Sequence, residues 1–266
     1  VDGIRVANLA GEQKQIFKHL DTDDLKRVLQ ENIGKFKRAV VITDGVFSML
    51  GEYAKMGELR AVVDEHDSQY EQGVMLVVDD SHGVAACGEG GRGVEEVEGA
   101  KADVLVATFG KGLGAAGGYV VADKIVIDYL RESAATYIYS NPVSPGVAGA
   151  ALAAIKLLNT NEGEALLEQS KTNVELFKQL MLKSGWKFAA DSSHPIQPLL
   201  IGDTQKTQAL TAGLFEAGVL ATKIGYPVVP AGREEIRLQI RAAHTKADLE
   251  YFVSQCTQAG KKLGLV

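Results

Sequence analysis

Residues 104–120 read VLVATFGKGLGAAGGYV, and this stretch decides the fold. A short β-branched run, Val104–Ala107, ends in Thr108-Phe109-Gly110, then Lys111, then glycines and alanines, before a second β-branched run begins at Tyr119. Strand, turn and strand around a single cation is not surface composition. Small residues let the backbone come close to another group. Lysine is ordinarily a solvated surface residue. In apolar surroundings its pKa falls, and the neutral amine attacks carbonyls. The neighbours of Lys111 favour that second state.

Working outward, strands and helices alternate. The strand RAVVITDG follows a helical TDDLKRVLQENIG, and a helical LRAVVDEHDSQ leads to VMLVVDD. DVLVATFG, GGYVVAD and the helical KIVIDYLRES come next, and IRVANLA near the start reads as a further strand. Such alternation predicts βαβ units around a parallel sheet. VMLVV is apolar at every position, as a strand covered on both faces would be. From Ser144 the texture changes to two helices, 144–158 and about 161–183. After them come strands at GWKFAA, IQPLLIG, VLATKIG and EIRLQIRAA, a helix at TQKTQALTAGLFEAG, and a last helix over 246–261. The expected fold class is therefore α/β, with a mostly parallel sheet in residues 1–150 and a smaller C-terminal α/β domain in residues 151–266.

The composition excludes several function classes. At 266 residues, 46% hydrophobic and 23% charged, the chain can bury a sizeable core. A net charge of −6 leaves no electrostatic footprint for nucleic acid or an anionic membrane. Cys87 and Cys256 have no ligand-like spacing. No apolar run is long enough to span a bilayer and no signal peptide stands out, so a cytoplasmic location is expected.

In open parallel sheets, ligands sit at the carboxyl ends of the strands. Three successive strand ends deliver Ser48, then Asp79 with Asp80, Ser81 and His82, then Thr108 with Lys111. Asp79 alone could cap a turn. Asp79 and His82 could be half of a metal site, but His194 and His244 lie in other contexts and no further ligands have suitable spacing, so no metal is expected. A lysine nucleophile with a carboxylate partner is the pair that pyridoxal phosphate requires. GLGAAG, residues 112–117, matches the dinucleotide fingerprint formally. That motif needs a helix to begin within it, whereas GYVVAD reads as a strand.

DGVFSM, VDDSHGVAACGEGGRG, VATFGKGLGAAGGYVVA, YIYSNPVSP and YPVVPAGREEIRLQIRAAHT stand in the order and spacing of the α-oxoamine synthases, a family that the whole chain resembles. Within it the Asp-Asp-Ser-His form and YPVVP look most like glycine C-acetyltransferase, with 8-amino-7-oxononanoate synthase and serine palmitoyltransferase as alternatives. The resemblance implies fold type I, pyridoxal 5'-phosphate as cofactor, and residues 1–150 as the C-terminal part of the large cofactor-binding domain. It implies that Lys111 carries the cofactor and moves the substrate's α-proton, and that Asp79 pairs with the pyridine nitrogen. His82 and Ser48 would bond the phenolic oxygen, with His82 also able to polarise the acyl carbonyl, and Thr108 would bind the phosphate. Ser140 and Asn141 would reach the phosphate of a partner subunit in a homodimer with shared sites. Arg237 would grip the substrate carboxylate, a task that suits a fork-shaped guanidinium. The substrates implied are an amino acid, glycine or another small one, and an acyl-CoA such as acetyl-CoA. About a further third of chain precedes this start in the family, including the aromatic that stacks on the cofactor ring. A catalytically incomplete, dimerising fragment is therefore the rival reading. Leu50, where the family has Asp, and Cys87, where it has a bulkier residue, are departures from the pattern.

Overall fold

The computed structural model of the chain describes residues 11–266; the expected strand at IRVANLA lies outside them. Helix α1 (Thr22–Asn32) starts at Asp21, whose carboxylate accepts the Asp24 amide, and buries Leu25, Val28 and Leu29. That i, i+3, i+4 spacing makes one apolar stripe. Strand β1 (Ala39–Asp44) leads into a small hairpin, β2 (Val46–Phe47) with β3 (Glu52–Tyr53), then α2 (Met56–Asp67), β4 (Val74–Asp79) and α3 (Val94–Glu98). Strands β5 (Val104–Thr108) and β6 (Gly118–Ala122) follow, then helices α4 (Lys124–Ser133), α5 (Ala135–Ile138), α6 (Pro145–Leu158) and α7 (Asn161–Lys183). The remainder is β7 (Ile196–Leu200), α8 (Thr204–Glu216), β8 (Thr222–Ile224), β9 (Glu235–Gln239) and α9 (Lys246–Lys262).

Two sheets organise these elements. The first runs β1-β4-β5-β6. β1, β4 and β5 are parallel, as the alternation predicts, but β6 is antiparallel to β5. The connection through Lys111 is a short loop rather than a crossover helix, and a short loop can only reverse the chain. One face of this sheet packs Val41, Val74, Leu76 and Val78 on Leu25, Leu29, Met56, Leu59 and Val63. The opposite face departs from the reading of VMLVV as covered on both sides. There Val40 (49% exposed), Ile42 (50%) and Met75 (36%) remain open among the described residues, because α1 and α2 both pack on the other side.

The second sheet, β7-β9-β8, is antiparallel throughout. Its core joins Val174, Phe177 and Met181 of α7, Leu210 and Leu214 of α8, and Leu249, Val253 and Cys256 of α9 to Leu199, Ile236 and Leu238. GWKFAA is not a strand; among the described residues a single bridge from Phe188 to Leu199 is its ladder contact. Trp186 instead fills the space against Gly260, where an added Cβ would lie 2.5 Å from its ring.

Candidate active site

The parallel register sets the first elements of the site. Asp44 and Asp79 are partners across β1 and β4, and Asp79 in turn faces Val106, which faces Val120. Residues in register share a face, so Asp44 and Asp79 project together from the open side of the sheet. Both are exposed. The Asp44 carboxyl is pushed above the usual range by loss of surrounding water and then by the Asp79 charge, against the pull of Lys111. One oxygen of Asp79 accepts the Ser81 amide at 3.0 Å, which turns the chain out of the strand. No helix follows, so this bond caps a turn rather than a helix, and the second carboxylate oxygen stays on the open side of the sheet.

Asp80 points the other way and is completely buried. Its Oδ2 accepts the Val94 amide at 2.8 Å, while Oδ1 has no hydrogen-bond partner among the described residues. Gly45, Gly83 and Gly93 crowd around it; a Cβ on them would lie 2.5, 2.1 and 1.8 Å from its oxygens. Burial, opposed by the Val94 amide, pushes this carboxyl up to about 7. The Asp80 main-chain carbonyl also accepts the amides of Gly83 and Val84. The turn bearing His82 is thus wound around Asp80. Cys87 is buried in the same turn, within 3.5 Å of the Gly83 carbonyl.

The Lys111 loop is tied at its neck. Thr108 donates its hydroxyl to the Gly117 carbonyl at 3.0 Å and accepts the Gly110 amide at 3.0 Å. Phe109 stacks on Tyr119 with centroids 5.1 Å apart, and Leu113 is buried. Gly112 passes so close to the His82 turn that a Cβ would sit 2.6 Å from the Val84 carbonyl. Lys111 itself is exposed, contrary to the apolar surroundings expected of it. Phe109 and Leu113 turn their apolar bulk to the protein, and the small residues between them cannot cover the lysine. GLGAAG runs straight into β6 with no helix inside it, so the helix N-terminus that a dinucleotide pyrophosphate needs is absent there.

His82 is half-buried, and its imidazole is held down to about 4 by burial first, then by the positive charges of Lys111 and Arg237 and by His194, with Asp79 pulling the other way. Asp79, His82, Lys111 and Arg237 therefore share one electrostatic neighbourhood, although the chain separates them widely. Arg237, on β9, reaches across from the second sheet and donates through Nε to the Ser48 carbonyl at 2.6 Å. Ser48 lies in the turn of the β2–β3 hairpin, half-buried. Ser140 and Asn141 are not brought to this group. They are exposed beyond α5, and the Ser140 hydroxyl bonds the Thr136 carbonyl within its own turn.

Sequence reasoning gave no role to four residues that the structure brings to this region. Asp44 stands one position before the glycine that ends VVITDG, and the strand-end rule applied one residue earlier finds it. Asp80 is distinguishable from Asp79 only by which way each side chain points. Ser192 and His194 bind main-chain carbonyls of the first sheet's loops, and nothing in the local sequence signals such long-range pairing.

Comparison with known proteins adds the following. The family described as aminotransferase class I and II matches residues 4–255. A curated 8-amino-7-oxononanoate synthase from Thermosipho melanesiensis is 35% identical over the whole chain, which spans 65% of that relative's length. A solved structure of SPT with PLP superposes at a TM-score of 0.86 with 27% identity, covering 94% of this chain and 61% of that one. Serine palmitoyltransferase of Sphingomonas wittichii gives 0.85 and 29%, with the same coverage. The fold is fold type I, α/β with a mostly parallel sheet. The relatives carry the name of the alternative reading, not of glycine C-acetyltransferase.

Proposed function

From a chain that belongs to the aminotransferase class I and II family, we propose the greater part of a pyridoxal-phosphate-dependent C-acyltransferase of the α-oxoamine synthase type, with 8-amino-7-oxononanoate synthase as its specificity. The observation that carries the reading is the convergence of Asp79, His82, Lys111 and Arg237 at one sheet end. The donor set fits the cofactor: an exposed carboxyl, a half-buried neutral imidazole, and a lysine on a loop whose Gly112 leaves room for nothing larger. When bound, pyridoxal phosphate supplies an electron sink for a carbanion at the α-carbon of an amino acid.

The chain's own residues then divide the work. Asp79 holds a proton on the pyridine nitrogen. Lys111 offers Nζ for attachment and afterwards takes the α-proton. His82, neutral down to about pH 4, donates a hydrogen bond without bringing a charge. Thr108 spends its hydroxyl proton on Gly117, so it meets a phosphate through the loop it shapes rather than as a donor. Arg237 has Nε committed to Ser48 and its terminal nitrogens left for a carboxylate. Ser140 and Asn141 serve the partner's site in a homodimer, a role supported by their exposure outside this cluster. The division near residue 150 into a large and a small domain is part of the proposal, supported by the two larger apolar cores; a third, smaller one packs Ala154 and Leu158 of the second part on Val84, Ala107 and Leu113 of the first.

The product's name fixes the substrates. An acid with an amino group at C8 and an oxo group at C7 of nine carbons is alanine, less its carboxyl, joined to a seven-carbon dicarboxylic acyl group. The experiment offers the protein alanine with the seven-carbon acyl thioester, and glycine with acetyl-CoA, and follows thiol release. Faster turnover of the first pair supports the reading. Faster turnover of the second restores glycine C-acetyltransferase, and turnover of neither favours the incomplete, dimerising fragment.

A further inference from the structure

We infer that His194 is a positioning residue for His82, the central member of a clamp in which three side-chain donors grip three main-chain carbonyls. The carbonyls are those of Ser48 and Gly51, in the turn of the β2–β3 hairpin that follows β1, and of His82, in the turn after β4. Arg237 Nε meets the first at 2.6 Å, Ser192 Oγ the second at 2.5 Å and His194 Nε2 the third at 2.9 Å. All three donors come from residues 192–237, the part of the chain that builds the second sheet.

The hydrogen-bond pattern fixes the tautomer of His194. Its Nδ1 lies 3.1 Å from the Ile196 amide nitrogen, which can only donate. Nδ1 is therefore the unprotonated nitrogen, and Nε2 carries the hydrogen that the His82 carbonyl accepts. His194 is 1% exposed, and the edge of Tyr53 packs against its ring at 5.9 Å between centroids. The turn that carries it is braced from within. Ser192 Oγ accepts the His194 amide at 2.9 Å, and Gln197 Nε2 donates to the carbonyls of Ser192 and His194 at 3.0 and 2.7 Å. A ring held this firmly leaves the His82 carbonyl one place to be.

That carbonyl fixes where the His82 side chain leaves the backbone. On its far side the turn is held by the Asp80 carbonyl, which accepts Gly83 and Val84, and by the Asp79 carboxylate, which accepts the Ser81 amide. Loss of the His194 bond frees the turn on the side facing Arg237 and Lys111. The chemical role of His82 rests on the function proposed above; the positioning does not.

The test uses amide exchange and imidazole NMR on the chain without cofactor, comparing wild type with His194→Leu and His194→Gln. Gln carries an N–H donor near the place of Nε2, and Leu carries none. With Leu, exchange of the Gly83, Val84 and Cys87 amides rises about tenfold, the worth of one hydrogen bond, while β4 amides keep their rates; with Gln most of the rise is reversed. Equal acceleration by both variants, acceleration shared by β4, or no change overturns the inference. If the Leu variant does not fold, the wild-type imidazole decides: a proton on Nε2 upholds it and a proton on Nδ1 overturns it. Absence of cofactor binding would defeat the proposed function and leave these readouts intact.

Discussion

Arg237 donates its Nε–H to the Ser48 carbonyl at 2.6 Å, joining positions 189 residues apart in the chain. The guanidinium is half-buried, and burial lowers its pKa. The bond needs the fork of arginine; a lysine keeps the charge but has nothing at Nε.

Arg237→Lys is therefore expected to lower stability by about 1.5 to 3 kcal/mol, the range for a hydrogen bond involving a charged group, although net charge is unchanged. Urea unfolding measures it. An unchanged midpoint would show that the charge, not the bond to Ser48, is what the position supplies.

Protonation of His194 gives a second expectation. Burial first, and then Arg237, hold its imidazole down to about 4, with the His82 carbonyl pulling the other way. The ordinary value is 6.5. Between pH 6.5 and 4 the unfolded chain binds this proton and the native chain does not, so stability falls as pH falls through that window. Roughly 3 kcal/mol is at stake for a fully buried group. His82 acts in the same direction, while Asp80 and Glu235, both pushed up to about 7 by burial, act in the opposite one. The measurable quantity is accordingly the difference between wild type and His194→Gln. That difference is expected to shift in favour of the variant as pH drops from 7 to 4; a constant difference would contradict the account.

Gly93 supplies a third. Its φ is +87°, and a Cβ would lie 1.8 Å from Asp80 Oδ2, the oxygen that receives the Val94 amide. Gly93→Ala must both strain the backbone and displace a fully buried carboxyl. A loss of more than about 2 kcal/mol is expected, with the largest rise in amide exchange at Val94. Gly99→Ala is the control for ordinary left-handed strain without a clash, because its φ is +66° and ψ 21° and nothing lies within 4 Å of its Cβ position. Gly93, with ψ −158°, is instead in a region nearly confined to glycine. Equal losses at the two sites would remove any special role for Asp80.

Much of this was legible in the sequence because local rules governed it. Strand β4 follows from its apolar run and the helix at TQKTQALTAGLFE from its pattern, and the strand-end rule singles out Asp79, His82, Thr108 and Lys111 as candidates. The antiparallel run of β6 could have been drawn from the strand-turn-strand reading of residues 104–120, since a short loop only reverses the chain, but the surrounding βα alternation pulled the expectation toward a parallel strand. The exposure of Lys111 depends on where Phe109 and Leu113 turn. The clamp of Ser192, His194 and Arg237 was not legible at all: its acceptors are main-chain carbonyls, which any residue type can supply.

The central claim is that Lys111 is where pyridoxal phosphate attaches. The most direct measurement mixes the protein with pyridoxal phosphate, reduces with borohydride and records the intact mass beside a Lys111→Ala variant. The account predicts one covalent cofactor adduct on the wild-type chain of 28.4 kDa and none on the variant. A wild-type mass without the adduct, or the same adduct on both proteins, would contradict it.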